Sequence, residues 1–338
     1  MKRFIERIKT YLRKDPVFSR VLKNTGYLFS SNSISLVLSL VQSIFAARLL
    51  GVGSFGLVSI IIALVSNVNR LFSFRMGEFI VRFLGKELTG ENQVKAGAVV
   101  KVSLLTEGLT SLIAFAVMQL LAPLGAQYIA KDMTMLPLIR LFSFAILANI
   151  VNETSVGVLQ ITNHFRSQAA INLGQSILTA LIIFLAYLFH GNIVTVVWAY
   201  LLGKVILGLG PVVLAFYYLR IHVGSAWWKA PFSVLPPFKE MASYAVSTNL
   251  SGTIKMVVSE SEPLWVGFFL DKNAVGLYKL ALSIVNPLMM PITPFISTVF
   301  PEMTRSIVSK KWAQLRQLLK RVTRVSAIWT VSMFLLMA

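Results

Sequence analysis

The chain has 338 residues, a mean hydropathy of +0.74, 56% hydrophobic and only 13% charged residues, and yet a formal net charge of +19. A soluble domain carries about 25% charged residues to cover its surface, so this composition excludes the soluble globular classes, and its apolarity excludes disorder. The absence of cysteine removes disulfides, thiolate metal sites and cysteine nucleophiles.

In chain order, residues 1–25 form a basic segment. Phe4, Ile5, Ile8, Tyr11 and Leu12 fall on one helical face among Lys and Arg, as in a helix lying in the inner-leaflet interface. The first long apolar stretch begins near Gly26 and is too long for a signal-peptide core. A bilayer core of about 30 Å takes roughly 20 apolar residues per helix, and runs of that length predict about nine spans. They lie at 26–49, 54–79, 97–122, 134–158, 168–189, 193–218, 243–269, 275–300 and 325–338. Continuous runs of this length exclude a membrane β-barrel, whose strands are about ten residues long and alternate in polarity.

Lysine and arginine set the orientation. About 23 basic residues fall in the N-terminal segment and alternate loops, about 3 (Arg48, Lys131 and Lys272) on the opposite side, and the remaining 6 within spans. The expected protein is therefore a multi-pass protein of the cytoplasmic (inner) membrane with its N-terminus in the cytoplasm. Basic residues segregated by topology, and not interleaved with stacking aromatics, argue against nucleic acid as a partner.

At an offset of 220 residues the chain weakly repeats itself, with Ser31/Ser251, Ile34/Ile254, Gly56/Gly276 and Leu57/Leu277 among the identities. Span one then matches span seven, and the glycine-bearing turn 51–56 matches 271–276. Six spans between the copies make the repeat parallel, with two lobes related by an axis along the membrane normal. The expected fold is an all-α polytopic membrane protein of two six-helix lobes, the first at 26–225 and the second, incomplete, at 226–338. Equal copies would give about 440 residues and 12 spans, so a fragment or truncated reading frame is expected.

The string EPLWVGFFLDKNAVGLYKLALSIVNPLMMPITPFISTVFPEMTR at 262–305 resembles a recurring pattern of polysaccharide flippases. Its matching parts are Glu262 with Gly267, the Gly-Leu-Tyr at 276–278 and the Phe-Pro-Glu at 300–302; ARLLGVGSFGLVS at 47–59 looks like the same family's end of helix one and start of helix two. The chain is thus similar to the Wzx-type oligosaccharide-lipid transporters of the multidrug/oligosaccharidyl-lipid/polysaccharide exporter superfamily. The resemblance implies translocation of an undecaprenyl-pyrophosphate-linked oligosaccharide by alternating access through a cavity between lobes, for surface polysaccharide biosynthesis. It implies a lipid-linked glycan and membrane lipid as ligands, and polysaccharide polymerase or assembly proteins as partners. No enzyme activity and no cofactor are expected.

Ionisable groups inside spans are costly unless paired or facing water, which makes each a functional candidate. Lys204, Lys255, Arg70, Arg140 and Lys279 are the candidate cavity cations, suited to a pyrophosphate headgroup. Glu262, Glu107 and Glu153 are candidates for proton or sodium coupling or for ion pairing. Arg75, Glu78 and Arg82, at i, i+3, i+7, suit either ion pairing on one helix face or a role in transport. On helix seven, Lys255, Ser259 and Glu262 fall at i, i+4, i+7 and form one polar stripe facing the expected cavity, with Pro263 freeing a backbone carbonyl beside Glu262. A salt bridge from Glu262 to Lys255 is the competing role. Pro287, Pro291 and Pro294 predict a kink in helix eight, either a hinge or a fixed bend.

GVGSFG at 51–56 fits the dinucleotide pattern but joins two membrane helices and follows no strand, so it predicts a turn. His164, His190 and His222 fall in separate connections without metal-ligand spacing. Two other functions stay open. A cation-coupled drug antiporter would need a net acidic cavity; a membrane glycosyltransferase or polymer ligase would need a sizeable external loop carrying acids or histidines.

Overall fold

The computed structural model describes the backbone of residues 16–74, 76–89, 92–259 and 261–289 and scattered helical positions between 312 and 332, with the side chains of 16–25, 89, 255–260 and 287–289 left out of that description. The regular elements among these residues are all helical. Five stretches are long and apolar enough to cross a membrane: Gly26–Phe72, Gln93–Ile129, Met133–Ile161, Phe165–Leu188 and Ile193–His222. The protein is a multi-pass membrane protein. Residues 1–15, Arg75, the expected span eight beyond residue 289 and most of the expected span nine lie outside the described residues.

Helix α1 (Pro16–Phe72) has two arms that meet at Gly51, whose φ of 75° is open to glycine because no Cβ blocks it. The first arm runs parallel to α6 (Phe165–Leu188): Ser31 donates to the Ala169 carbonyl at 2.8 Å, and Phe45 stacks edge-on against Phe184. The second runs antiparallel to α3 (Gln93–Leu124), with Leu64 over Gly125 and Ser73 bonded to Ser111. The chain thus turns back at Gly51, as the glycine-bearing sequence predicts.

Three expected spans are interrupted. Span two, expected to reach residue 79, ends at Phe72, because the Phe74 amide donates to the Thr110 hydroxyl at 3.0 Å instead of continuing the helix. A separate amphipathic helix, α2 (Gly77–Thr89), follows and buries Phe79, Ile80, Phe83 and Leu84. Span four divides into α4 (Leu136–Ala148) and α5 (Asn152–Ile161), with the Asn149 amide bridging the carbonyls of Ala145 (2.8 Å) and Lys204 (3.3 Å). Span seven divides into α8 (Phe238–Ser259) and α9 (Glu262–Phe269). Pro263 stands in the first turn of α9, where a helix has no partner for an amide, so it starts a helix and frees no carbonyl within one. The expected stripe from Lys255 through Ser259 to Glu262 is therefore not one continuous helix face.

Helix α7 (Ile193–His222) begins at Asn192, whose side chain accepts from the Thr195 amide at 3.1 Å, and α10 (Lys272–Met289) follows a short turn after α9. Two compact units divide the chain at 279/280. In the second, the Ser283 hydroxyl donates to the Leu280 carbonyl at 2.9 Å. In the first, polarity is inverted relative to a water-soluble protein. Leu120 and Phe189 are 77% and 79% exposed, whereas Ser103 and Glu107 are 0% and 1% exposed. Two apolar cores lie toward opposite ends of α3. One joins α2, α3, α7 and α8 through Phe83, Val99, Leu219 and Met241; the other joins Leu57, Ile60, Ala130 and Val275. Between them lies a polar layer.

Candidate transport site

The break between α4 and α5 creates the site. A helix start leaves its first amides without partners, and the N-cap of α5, Val151, has no polar side chain. Glu107, from the middle of α3, supplies the missing acceptors: its Oε1 accepts from the Glu153 amide at 2.8 Å and its Oε2 from the Thr154 amide at 2.9 Å. Ser103 and Thr154 share a hydroxyl bond at 2.9 Å one turn away. A carboxylate at a helix N-terminus is favoured by both the amide donors and the dipole, which offsets part of the cost of its burial. Glu107 thus fastens α3 to α5.

Beside this cap lies a cavity of about 190 Å³ lined by Arg70, Glu107, Glu153 and Lys204, with Asn69 and Asn152 among its neutral groups. Four of the charges expected from the sequence to line a cavity or carry ions come together here, from the second arm of α1 and from α3, α5 and α7. Glu153 stands close enough to Glu107 for their charges to interact, and its Oε2 lies over Gly77 at the start of α2. The formal charges are two cations and two carboxylates, a balanced set where an excess of cations was expected. Glu107, however, spends its charge on the α5 amides.

The other candidates lie elsewhere. Arg140 is exposed and does not line this cavity. Glu262 and Lys279 interact electrostatically with each other, across α9 and α10. The Lys255 and Pro287 side chains, Arg75, Glu260, Pro291 and Pro294 lie outside the described residues. Arg82 pairs with Glu240 of α8 at 3.6 Å and lies 4.4 Å from the Tyr244 ring centroid, a partner the spacing of Arg75, Glu78 and Arg82 does not indicate. Two histidines from separate connections meet: His164 stacks on Tyr218 at 3.4 Å between centroids, with His222 at 6.4 Å. No group of three or more metal-ligand side chains forms among the described residues.

Sequence reasoning confined to charges misses the neutral part of the polar layer. A second cavity, of about 520 Å³, opens between the first arm of α1, α6 and α7, and a third, of about 300 Å³, adjoins it. Lys204 lines the first and second, and Leu207 lines all three. The signal was present as spacing: Ser31, Ser35, Ser39 and Gln42 fall at i, i+4, i+8, i+11, and Asn172, Ser176 and Thr179 at i, i+4, i+7.

Compared with known families, residues 21–307 match the model described as "Polysaccharide biosynthesis protein". The chain belongs to the polysaccharide biosynthesis protein family. This is the family of Wzx-type flippases to which the sequence resemblance pointed, and its members are generally transporters or flippases and not enzymes. No curated protein and no solved structure matches the chain. For a polysaccharide biosynthesis protein built from membrane-crossing helices, the buried polar layer is the natural place for a substrate that is itself polar.

Proposed function

We propose that this protein carries an undecaprenyl-pyrophosphate-linked oligosaccharide from the inner to the outer leaflet of the cytoplasmic membrane by alternating access. The observation that carries the reading is Arg70 and Lys204 on one internal cavity, between two apolar cores of a membrane protein of this family. A pyrophosphate keeps its charge across a low-dielectric region only where fixed cations and dipoles replace water. The Glu107 carboxylate is engaged by the α5 amides, and the other charged residues lining the cavity are Arg70, Lys204 and Glu153. Glu153, and Glu262 beside Lys279, are the acids available for proton or sodium coupling. The positive-inside distribution supports a cytoplasmic N-terminus.

The experiment is the leaflet distribution of lipid-linked oligosaccharide in cells lacking the gene. Accumulation on the cytoplasmic leaflet with loss of surface glycan, reversed by the gene, is expected. An unchanged distribution in a strain without a redundant transporter would sink the reading and turn attention to a cation-coupled drug antiporter.

A further inference from the structure

The charged cavity suits a pyrophosphate and leaves the larger cavity beside it without a task. That second space is walled by side-chain amides and hydroxyls, among them Asn32, Ser39, Gln42, Gln175 and Thr179, and by the Tyr200 ring. Among the described residues Lys204 is the one charged residue in its lining, and no carboxylate lines it. Away from Lys204 such a surface repels neither sign of charge and attracts neither strongly; it suits a neutral ligand with many hydroxyl groups and an apolar ring face.

Its polar atoms are also incompletely used. Thr179 is 3% exposed, and its Oγ1 has no hydrogen-bond partner among the described residues. The same holds for Gln168 Oε1 and Asn152 Oδ1 in the third cavity, which shares Asn32 and Asn172 with the second. A buried polar atom left unpaired costs free energy, so these positions are satisfied by water or by a ligand that presents hydroxyls.

Continuity with the charged cavity decides between a general polar lining and a built subsite. In a lipid-linked glycan the first sugar is bonded directly to the pyrophosphate, so any sugar site must begin where the phosphate site ends. Lys204 lines both spaces and stands at that junction.

We propose that the amide- and hydroxyl-lined cavity between the first arm of α1, α6 and α7 is the sugar subsite, holding the glycan next to the pyrophosphate while Lys204 spans the two. The subsite rests on the transport reading above and adds a recognition element to it.

The test uses the full chain in lipid nanodiscs and two probes: bare undecaprenyl pyrophosphate, and the lipid-linked oligosaccharide fraction extracted from gene-deleted cells. Wild type is expected to bind the glycosylated lipid about tenfold more tightly than the bare one. Thr179→Val and Gln175→Leu are expected to remove most of that difference while leaving bare-lipid affinity unchanged; Lys204→Ala is expected to weaken both. Thr179→Val deletes only an unpartnered hydroxyl and keeps the shape, so it guards against a variant that merely misfolds. Equal effects of these two variants on both lipids, or none on either, would overturn the subsite. Wild type that binds the bare lipid without preferring the glycosylated one would also overturn it while leaving the transport reading standing. Binding of neither lipid would overturn both.

Discussion

Gly56 and Gly276 occupy reciprocal positions where α1 meets the start of α10. A Cβ on Gly56 would collide with the carbonyl oxygen of Lys272, and a Cβ on Gly276 with the carbonyl oxygen of Val52. The 220-residue offset that aligns Gly56 with Gly276 also aligns Val52 with Lys272, so the two contacts exchange under the repeat. The two close approaches thus relate positions that the 220-residue repeat pairs in sequence.

Because both obstacles are backbone atoms, neither glycine tolerates a side chain without moving a helix. Gly276→Ala and Gly56→Ala are each expected to cost about 1–3 kcal/mol. Gly174→Ala, on α6 with nothing within 4 Å of the added methyl, is expected to stabilise by up to about 1 kcal/mol through helix propensity. Thermal unfolding of the purified variants in detergent checks the contrast; equal Tm values would show that the close approach carries no stability.

Removing the Glu107 carboxylate should unfasten α5. Glu107→Ala leaves two helix-start amides without acceptors, at about 1–3 kcal/mol each. Glu107→Gln keeps one carbonyl oxygen and loses roughly half as much. Transport by the two variants should fall in the same order as their Tm. Loss of transport by Glu107→Gln at unchanged Tm would instead mark Glu107 as a coupling acid.

Arg70 and Lys204 share one cavity, so their effects should not add. Lys204→Ala and Arg70→Ala are each expected to slow translocation about tenfold with normal membrane insertion, Lys204→Arg to retain part of the rate, and the double variant to lose less than the product. Full transport by the double variant would remove the headgroup role.

His164 should titrate below its ordinary value of 6.5, first because burial disfavours the imidazolium and second because it faces His222. The folded protein then takes up this proton later than the unfolded chain as pH falls. Stability from this site is therefore unaffected above about pH 7.5 and declines as pH drops through 6.5. Tm measured between about pH 7.5 and 5.5 should fall less in His164→Gln than in wild type, and His222→Ala should move the His164 titration upward.

The sequence made the membrane class, the turn at Gly51 and the intramembrane charges that share one cavity, Arg70, Glu107, Glu153 and Lys204, legible, because each follows from local composition or from the cost of charge in an apolar run. The helix breaks were not legible. Nothing near Asn149 or Ser73 in sequence stops a helix; the causes are the Glu107 carboxylate, 46 residues from the Glu153 amide it accepts from, and the Thr110 hydroxyl, 36 residues from the Phe74 amide. The break before Glu262 was foreshadowed by Pro263, but a proline in an apolar run fits a kink and a helix start equally well. The neutral cavity was overlooked because serine and asparagine are cheap enough inside a span to attract no notice singly, and only their shared face reveals them.

The inverted polarity of the first unit also shapes its temperature dependence. Inside a bilayer, drawing α1 away from α6 moves no apolar surface into water; it breaks Ser31 from Ala169 and Gln42 from Ser176 in hydrocarbon. Helix separation should therefore carry little of the heat-capacity change that curves the stability of water-soluble proteins. Cohesion between these helices does not fade on cooling, and cold should leave the bundle assembled where a core held by water would loosen.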